Sequence, residues 1–357
     1  DDFTQGADNG LKLTDMIDVD YDDDETWNKF LDQLTVEQLC NTVTDSKSTN
    51  TISTLDVPGN TKGDDDTNAA GGAIQFVSHP LTARTWNTDM NEKRGLYEGL
   101  ICTLNGKDEI WYGAGNLHRH PYGGRAGQYW SEDATLDYYN GYYEAQAAQS
   151  VGCITCVKHM ACNDQEAKRT GLSVFVDEQA LREIYLRAFE GAFDGGALSV
   201  MTTTGRIGTR LGKNYSALLT TVLRDEWGFQ GHVTSDGYVN TGYYNNTLEE
   251  LEAGMDYSCC DSAGSNAQRI LNAIKAGDGN MLKQVRRAAK NNLYVMAKTA
   301  SMNGLGNGSA VVAIVPAWEM AVAVTNIVVA VLLAACLIMT VVQTRKNGKT
   351  KKEEIEA

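Results

Sequence analysis

Apolar runs alternate with amphipathic segments along most of the chain. Short apolar runs predict strands at 109–112, 151–157, 198–202 and 232–235. Longer segments with apolar residues at helical spacing predict helices at 92–104, 136–149, 177–193, 216–226, 248–253 and 281–300. Strands that alternate with helices over about 270 residues are typical of an α/β fold, and we expect a (β/α)8 TIM-type barrel.

The C-terminal part of the chain contains a long uncharged segment. Residues 321–342 read AVAVTNIVVAVLLAACLIMTVV, and a helix of this length spans a hydrocarbon core of about 30 Å. An aromatic residue precedes the segment and a basic cluster follows it: Trp318, then Arg345, Lys346, Lys349, Lys351 and Lys352. Since basic residues stay on the cytoplasmic side, we expect a single transmembrane helix at 319–343 and a cytoplasmic tail at 344–357. The expected location is therefore the cell membrane, with the barrel outside and the lipid bilayer as a partner.

The composition of the remaining chain predicts three further segments: an N-terminal linker, the barrel and a stalk. Residues 1–25 are acidic but lack the glycine that an EF-hand loop needs, so we expect a solvated linker. The barrel is expected at 26–302 and a Gly-rich stalk at 303–318. The chain begins with Asp1 and shows no signal-peptide pattern, so we expect a processed or excised piece of a longer protein.

Charge and cysteine content narrow the function classes. The formal net charge of −15 argues against a nucleic-acid partner, because phosphate binding requires clustered cations. Cys153 and Cys156 form a C-x-x-C pair that could suggest a redox couple or half a zinc site. The pair lies in an apolar run and no second C-x-x-C exists, which favours buried thiols. The five histidines include no HExxH motif, and we expect neither a metal nor a cofactor.

Polar residues follow directly after several of the predicted strands. In a β/α barrel the chemistry lies at the carboxyl ends of the strands. Lys158 and His159 follow the predicted strand at 151–157, and Asp236 follows the one at 232–235. Arg125 lies in a Gly-rich loop after the predicted strand at 109–112. Together they predict a polar pocket with one candidate carboxylate, as a sugar ring with several hydroxyls would need.

Four segments carry a more specific resemblance. They are 116–133 (NLHRHPYGGRAGQYWSED), 158–169 (KHMACNDQEAKR), 176–193 (VDEQALREIYLRAFEGAF) and 218–236 (LLTTVLRDEWGFQGHVTSD). In this order and spacing the chain resembles glycoside hydrolase family 3, the family of β-glucosidases and β-xylosidases. The segment 297–305 resembles members in which an α/β sandwich domain precedes the barrel, so we expect such a domain upstream.

The resemblance implies a role for each residue of the pocket. Asp236 would be the nucleophile that attacks the anomeric carbon. The sugar hydroxyls would be held by Lys158, His159, Arg125 and Asp66, and Met201 would line the pocket. Glu166 and Arg169 would brace the Lys-His loop without touching the sugar. An ionised carboxylate near Lys158 and Arg125 is expected to keep a low pKa.

These roles predict a membrane-anchored retaining exo-β-glycosidase that removes terminal β-linked sugars from oligosaccharides through a glycosyl-enzyme on Asp236. The general acid is expected from the upstream sandwich domain. Gln128, Thr204 and Gly237 depart from the family pattern. These departures leave open a degenerate barrel that binds glycans or scaffolds other enzymes, and a membrane-anchored barrel of unrelated function.

Overall fold

The computed structural model describes residues 3–44, 51–59, 61–63, 75–111, 115–237, 246–259, 265–303, 305 and 317–356. The chain divides into two compact units, Asp1–Val311 and Val312–Ala357. The predicted stalk at 303–318 lies mostly outside the described residues, as does Asp66.

Parallel strands form the centre of the first unit. The described strands are β1 (Lys62–Gly63), β2 (Glu109–Ile110), β3 (Ile154–Met160), β4 (Ser173–Val174), β5 (Ser199–Thr202), β6 (Arg206–Ile207), β7 (Arg210–Leu211) and β8 (His232–Thr234). Five of them pair in the order β1-β2-β3-β5-β8, all parallel. Helices connect successive strands of this sheet, which is the α/β topology of a TIM-type barrel.

Two isolated parallel bridges extend the sheet beyond β8, joining Thr234 to Tyr257 and Ser258 to Thr44. Among the described residues the ladder runs as an open arc from Gly63 to Thr44, so closure into a ring of eight strands stays a prediction. A small separate sheet, in the order β4-β6-β7, is built from the loops that follow β3 and β5.

The helices are bounded by local capping signals. The described α-helices are α1 (Asp24–Leu31), α2 (Val36–Thr42), α3 (His79–Ala83), α4 (Thr88–Leu104), α5 (Ala134–Gln149), α6 (Glu178–Ala180), α7 (Arg187–Asp194), α8 (Thr247–Ala253), α9 (Ser265–Lys275), α10 (Gly279–Ala297) and α11 (Ala317–Glu356). Two π-helical segments, Leu181–Tyr185 and Ala217–Glu226, accompany them. The Asp133 side chain accepts a 2.7 Å hydrogen bond from the Leu136 amide and begins α5. All six predicted segments are helical, with ends displaced by a few residues. The predicted helix 216–226 is π-helical, and the predicted helix 177–193 is divided into α6, a π-helical segment and α7.

Glycines allow α4, α5 and α7 to pack closely. A Cβ placed on Gly95 would lie 2.2 Å from the carbonyl oxygen of Glu144, and one on Gly191 would lie 2.2 Å from that of Tyr138. A side chain at either position would hold the helix backbones apart. This close approach packs α5 directly against both α4 and α7.

The acidic N-terminal segment is not the solvated linker that its composition predicts. Leu13 and Met16 are fully buried and pack in one cluster with Trp27 and Phe30. The Tyr21 hydroxyl donates a 2.7 Å hydrogen bond to Asn291 on α10. The apolar residues between the aspartates make this segment part of the core, whereas the charges themselves face solvent.

The central strand lies later in the sequence than predicted. The prediction placed a strand at 151–157 with Lys158 and His159 after it, but β3 runs from Ile154 to Met160 and contains both. The register shifts between Lys158 and Met160, so the pairing with β5 is interrupted at His159. Every residue of β3 is buried, including Lys158 and His159. A polar pair after an apolar run predicts the end of a strand, whereas here the pair continues the strand inside the protein.

The second unit contains one long helix. Within α11, the segment Ala317–Thr344 is long and apolar enough to cross a membrane, and it has a mean hydropathy of 2.7. Its apolar side chains are exposed to the surroundings along its length. The helix begins two residues before the predicted start at 319 and continues through the predicted tail.

Candidate active site

The strand register brings Lys158 and Asp236 to the same end of the sheet. Lys158 on β3 pairs with Met201 on β5, which pairs with Thr234 on β8. Asp236 follows two residues after Thr234. The carboxyl ends of parallel strands meet at one edge, so residues that are distant in sequence form one pocket there.

Arg169 makes the strongest contact to the candidate nucleophile. Its Nη2 atom donates a hydrogen bond to Asp236 Oδ2 within an ion pair. His159 Nε2 lies 3.6 Å from the same oxygen. The loop after β3 folds back over the strand ends and brings the guanidinium of Arg169 to the carboxylate, and the role of Arg169 as a brace of the Lys-His loop stays a prediction.

Glu166 lies between two cations of the site. Its Oε1 atom is 2.8 Å from Arg125 Nε and 3.6 Å from Arg169 Nε. Arg125 Nη1 in turn lies 3.4 Å from His159 Nε2. One carboxylate thus contacts both guanidiniums beside His159, and the bracing role of Glu166 stays a prediction.

Asn163, which the sequence reasoning missed, links this network to the rest of the loop. Its Oδ1 atom accepts a 2.8 Å hydrogen bond from Arg169 Nε, and its Nδ2 atom donates a 2.9 Å hydrogen bond to Glu166 Oε1. The two partners fix the orientation of the amide, because a guanidinium only donates and a carboxylate accepts. The signal was its place in the motif 158–169, between the Lys-His pair and the Glu-Arg pair.

The amide orientation makes the Tyr129 hydroxyl an acceptor. Asn163 Nδ2 donates a 2.6 Å hydrogen bond to the Tyr129 hydroxyl, whose oxygen lies 3.2 Å from His159 Nδ1. The hydroxyl proton is therefore free to point at Nδ1. Nε2, the other ring nitrogen, faces Arg125 and Asp236. Tyr129 is buried and links Asn163 to the His159 ring.

Burial dominates the electrostatics of the two central groups. Burial raises the pKa of the Asp236 carboxyl by more than Arg169, Lys158 and Arg125 lower it. The expectation of a low pKa is therefore wrong, since the desolvation of the carboxylate outweighs its cations. Burial also lowers the pKa of His159 well below its usual value, and Arg169, Lys158 and Arg125 lower it further, which keeps the ring neutral at pH 7.

Further residues support members of this network from neighbouring segments. Asn116, from the Gly-rich loop, donates a 2.9 Å hydrogen bond to the His159 carbonyl oxygen. Gln128 Oε1 accepts a 2.9 Å hydrogen bond from Arg125 Nη1, so this departure from the family pattern helps to hold a site residue. Met201 is buried with Trp111 and Cys156 in the barrel interior.

Among the residues that the structure describes, no group of three His, Cys, Asp or Glu side chains is arranged to hold a metal ion. The site is instead a cluster of three cations and two carboxylates around a neutral histidine: Lys158, Arg125 and Arg169, then Asp236 and Glu166, with His159. Such a cluster can hold hydroxyl groups and supply a carboxylate to an electrophilic carbon.

Comparisons with known proteins identify the family of this chain. Residues 108–291 match the Glycosyl hydrolase family 3 N terminal domain. A beta-glucosidase from Ruminococcus albus is 33% identical over 249 residues, covering 67% of this chain and 26% of that protein. An exo-alpha-(1->6)-L-arabinopyranosidase from Bifidobacterium longum is 36% identical over 249 residues, covering 69% and 32%.

The fold comparison gives the same result. The structure of beta-glucosidase 3B from Thermotoga neapolitana in complex with glucose superposes with a TM-score of 0.71 at 28% identity, covering 77% of this chain and 43% of that chain. The chain spans about a quarter to a third of the length of the curated relatives named above. Since the family domain matches just over half of the chain and includes every described residue of the site, the chain belongs to glycosyl hydrolase family 3.

Proposed function

We propose that this chain is the nucleophile-bearing barrel of a membrane-anchored retaining exo-β-glycosidase, similar to a β-glucosidase. The observation that carries the proposal is the placement of Asp236 at the carboxyl end of β8, ion-paired with Arg169 and next to His159. The β-glucosidase from Ruminococcus albus and the glucose-bound structure from Thermotoga neapolitana support a glycoside substrate.

In the proposed reaction the ionised Asp236 carboxylate attacks the anomeric carbon. The bond from that carbon to the leaving oxygen breaks, and the leaving oxygen takes a proton from a general acid. Water, deprotonated by the conjugate base of that acid, then attacks the glycosyl-enzyme and frees Asp236 with retained configuration. A partly desolvated carboxylate suits this role because the protein replaces its hydration shell with Arg169.

The other site residues would act on the sugar hydroxyls. Lys158 and Arg125 are cationic donors, and Nε2 of the neutral His159 ring lies 3.6 Å from the attacking carboxylate. Contacts that strengthen as the ring flattens toward an oxocarbenium ion lower the barrier rather than only improving binding. Met201 would line the pocket and Asp66 would hold distal hydroxyls, as the family resemblance implies.

We infer that the general acid comes from a second, α/β sandwich domain outside these residues, which in this protein would precede the barrel. We also infer that the helix Ala317–Thr344 anchors the barrel to the outer face of the cell membrane, with the basic residues after it in the cytoplasm. Protease treatment of intact cells should then degrade the barrel, and an epitope tag at the C-terminus should remain protected.

Covalent trapping of the full chain in detergent tests the nucleophile. The reagents are 2-deoxy-2-fluoro glycosides with a dinitrophenol leaving group, which departs without protonation, so the second domain is not required. Intact mass should increase by one fluorosugar, and Asp236→Ala should remain unlabelled. Asp177→Ala, which changes an exposed aspartate of a helix cap, is the matched control and should label normally.

Running gluco-, xylo-, galacto- and arabino-configured reagents in parallel identifies the sugar, because the relatives named above act on different ones. Absence of any label in a folded chain would overturn the proposal. If that chain still bound β-glycosides, the barrel would be a glycan-binding module instead.

A further inference from the structure

Two buried thiols outside the active site contact each other. Cys102 lies in the last turn of α4 and Cys153 immediately precedes β3, and both side chains are fully buried. They form one apolar cluster with Ile110, in which the Cys102 side chain interacts with that of Cys153. Two thiols packed in one buried cluster need only a small approach of their sulfurs to form a covalent bond.

The backbone around both cysteines is held in place. The Cys153 amide donates a 3.3 Å hydrogen bond to the Ala148 carbonyl oxygen, and the Lys107 amide donates a 3.0 Å hydrogen bond to the Cys102 carbonyl oxygen. The other half of the C-x-x-C pair, Cys156, belongs to a different cluster with Met201 and Trp111. The motif therefore places its two sulfurs in separate environments, and the partner of Cys153 lies 51 residues earlier, on α4.

We propose that Cys102 and Cys153 form a disulfide bond when the chain folds in an oxidising compartment. Two thiols lose two protons and two electrons, and one S–S bond forms. The electrons pass to a small-molecule or protein disulfide, such as oxidised glutathione, which becomes two thiols through a mixed-disulfide intermediate. Such a bond would close a loop that contains β2, the Arg125 loop and α5.

The timing of the reaction follows from burial. Only a thiolate attacks a disulfide, and burial keeps the pKa of Cys153 well above its usual value. Exchange is therefore slow in the folded chain, and the bond forms during folding. Its formation in the cell rests on the proposed location of the barrel outside the membrane, whereas the experiment below does not depend on location or on glycosidase activity.

The test compares the full chain produced in two bacterial strains, one with a reducing and one with an oxidising cytoplasm. Each preparation is denatured, alkylated without reduction and digested for mass spectrometry. The oxidising strain should yield the peptide of Cys102 linked to that of Cys153, with six of the eight cysteines alkylated. The reducing strain should yield eight alkylated cysteines.

The melting temperature provides a second measurement. The oxidised chain should melt about 5 °C above the reduced chain, because a loop of this length loses denatured-state entropy. Cys102→Ala and Cys153→Ala should abolish this difference. Cys40→Ala, which removes a buried thiol from another cluster, should retain it. Full alkylation of both Cys102 and Cys153 in folded chain from the oxidising strain would overturn the proposal.

Discussion

The guanidinium of Arg169 and the carboxylate of Asp236 form an ion pair across 67 residues of sequence. Arg169 comes from the loop after β3, and Asp236 comes from the end of β8. Burial raises the pKa of the Asp236 carboxyl, and among the neighbouring cations Arg169 lowers that pKa most. Arg169 is therefore the largest of the contributions that favour the ionised form of Asp236.

Substitution of Arg169 by Ala should move the acid limb of the labelling reaction to higher pH. Asp236 reacts when ionised, so labelling is lost as the pH falls through its pKa, and removal of Arg169 raises that pKa further. The rate of fluorosugar labelling at pH 5 should fall at least about tenfold relative to the native chain. The rate is followed by intact mass between pH 4 and pH 8.

Arg182→Ala is the matched control for this experiment, because Arg182 pairs with Glu226 and Glu178 on the surface. Its pH profile should coincide with that of the native chain. Arg169→Lys should restore part of the acid limb, since the charge remains but the hydrogen bond to Asn163 is lost. An unchanged limb in Arg169→Ala would show that the ion pair does not control the nucleophile.

Substitution of Tyr129 by Phe should slow labelling about tenfold without unfolding the chain. The change removes the hydroxyl that accepts from Asn163 and lies 3.2 Å from His159 Nδ1, so the ring beside Asp236 loses a partner that holds its orientation. The measurement is the labelling rate at pH 7 together with the melting temperature. Tyr139→Phe, on an exposed ring, should leave both values unchanged.

Glu109 is the centre of a buried polar group inside the barrel. Its Oε2 atom lies 3.2 Å from Lys62 Nζ, and its Oε1 atom accepts hydrogen bonds from Trp111 and Ser199 at 2.9 and 2.8 Å. Glu109→Ala should lower the free energy of unfolding by about 3–5 kcal/mol, because it leaves a buried cation without its partner. Lys29→Ala breaks an exposed ion pair and should leave the free energy of unfolding almost unchanged. Urea unfolding measures both, and equal losses would refute the distinction.

The Glu144 carboxyl should make the free energy of unfolding fall as the pH rises. Burial raises its pKa by more than Arg94, 3.8 Å away, lowers it. A carboxyl with a raised folded pKa contributes stability that is complete below its unfolded value of 4.5 and is lost as the pH rises through the folded value. Glu144→Gln should therefore cost about 1 kcal/mol or less at pH 5. It should become stabilising relative to the native chain at pH 9, by up to about 1.4 kcal/mol per pH unit of titration.

The control for Glu144 is Glu98→Gln. Glu98 Oε1 lies 2.8 Å from Arg94 Nη2, so its substitution weakens a buried ion pair. The loss should be about 3 kcal/mol at pH 5. It should be smaller at pH 9 but remain a loss, because the Glu98 carboxylate also raises the pKa of Glu144. Urea unfolding at pH 5, 7 and 9 distinguishes the two residues, and a pH-independent effect of Glu144→Gln would contradict the raised pKa.

Gly191 should not tolerate a methyl group, although it lies within a helix. Its Cβ would lie 2.2 Å from the Tyr138 carbonyl oxygen, so α5 and α7 would have to separate. Gly191→Ala should lower the free energy of unfolding by about 1–3 kcal/mol or more. Gly279→Ala, at the start of α10 with no atom within 4 Å of the added carbon, should be neutral or slightly stabilising. Equal melting temperatures of the two variants would refute the close-packing argument.

Local pattern was sufficient for the α/β fold, the six predicted helices and the apolar helix near the C-terminus, because periodicity and length report directly on burial. Motif resemblance placed Asp236, His159 and Arg125 in one site, and the structure brings them together. Composition was misleading for the N-terminal segment, since a few apolar residues among aspartates are enough to anchor it to the core.

Tertiary structure alone decided how these residues act on one another. The hydrogen bond of Asn163 to Tyr129 and the ion pair of Arg169 with Asp236 join residues 34 and 67 positions apart, which no local pattern encodes. The raised pKa of Asp236 likewise depends on how much water the folded barrel excludes from the carboxylate. The types of chemical group were legible in the sequence, whereas their partners, protonation and burial arise only when the strand ends converge.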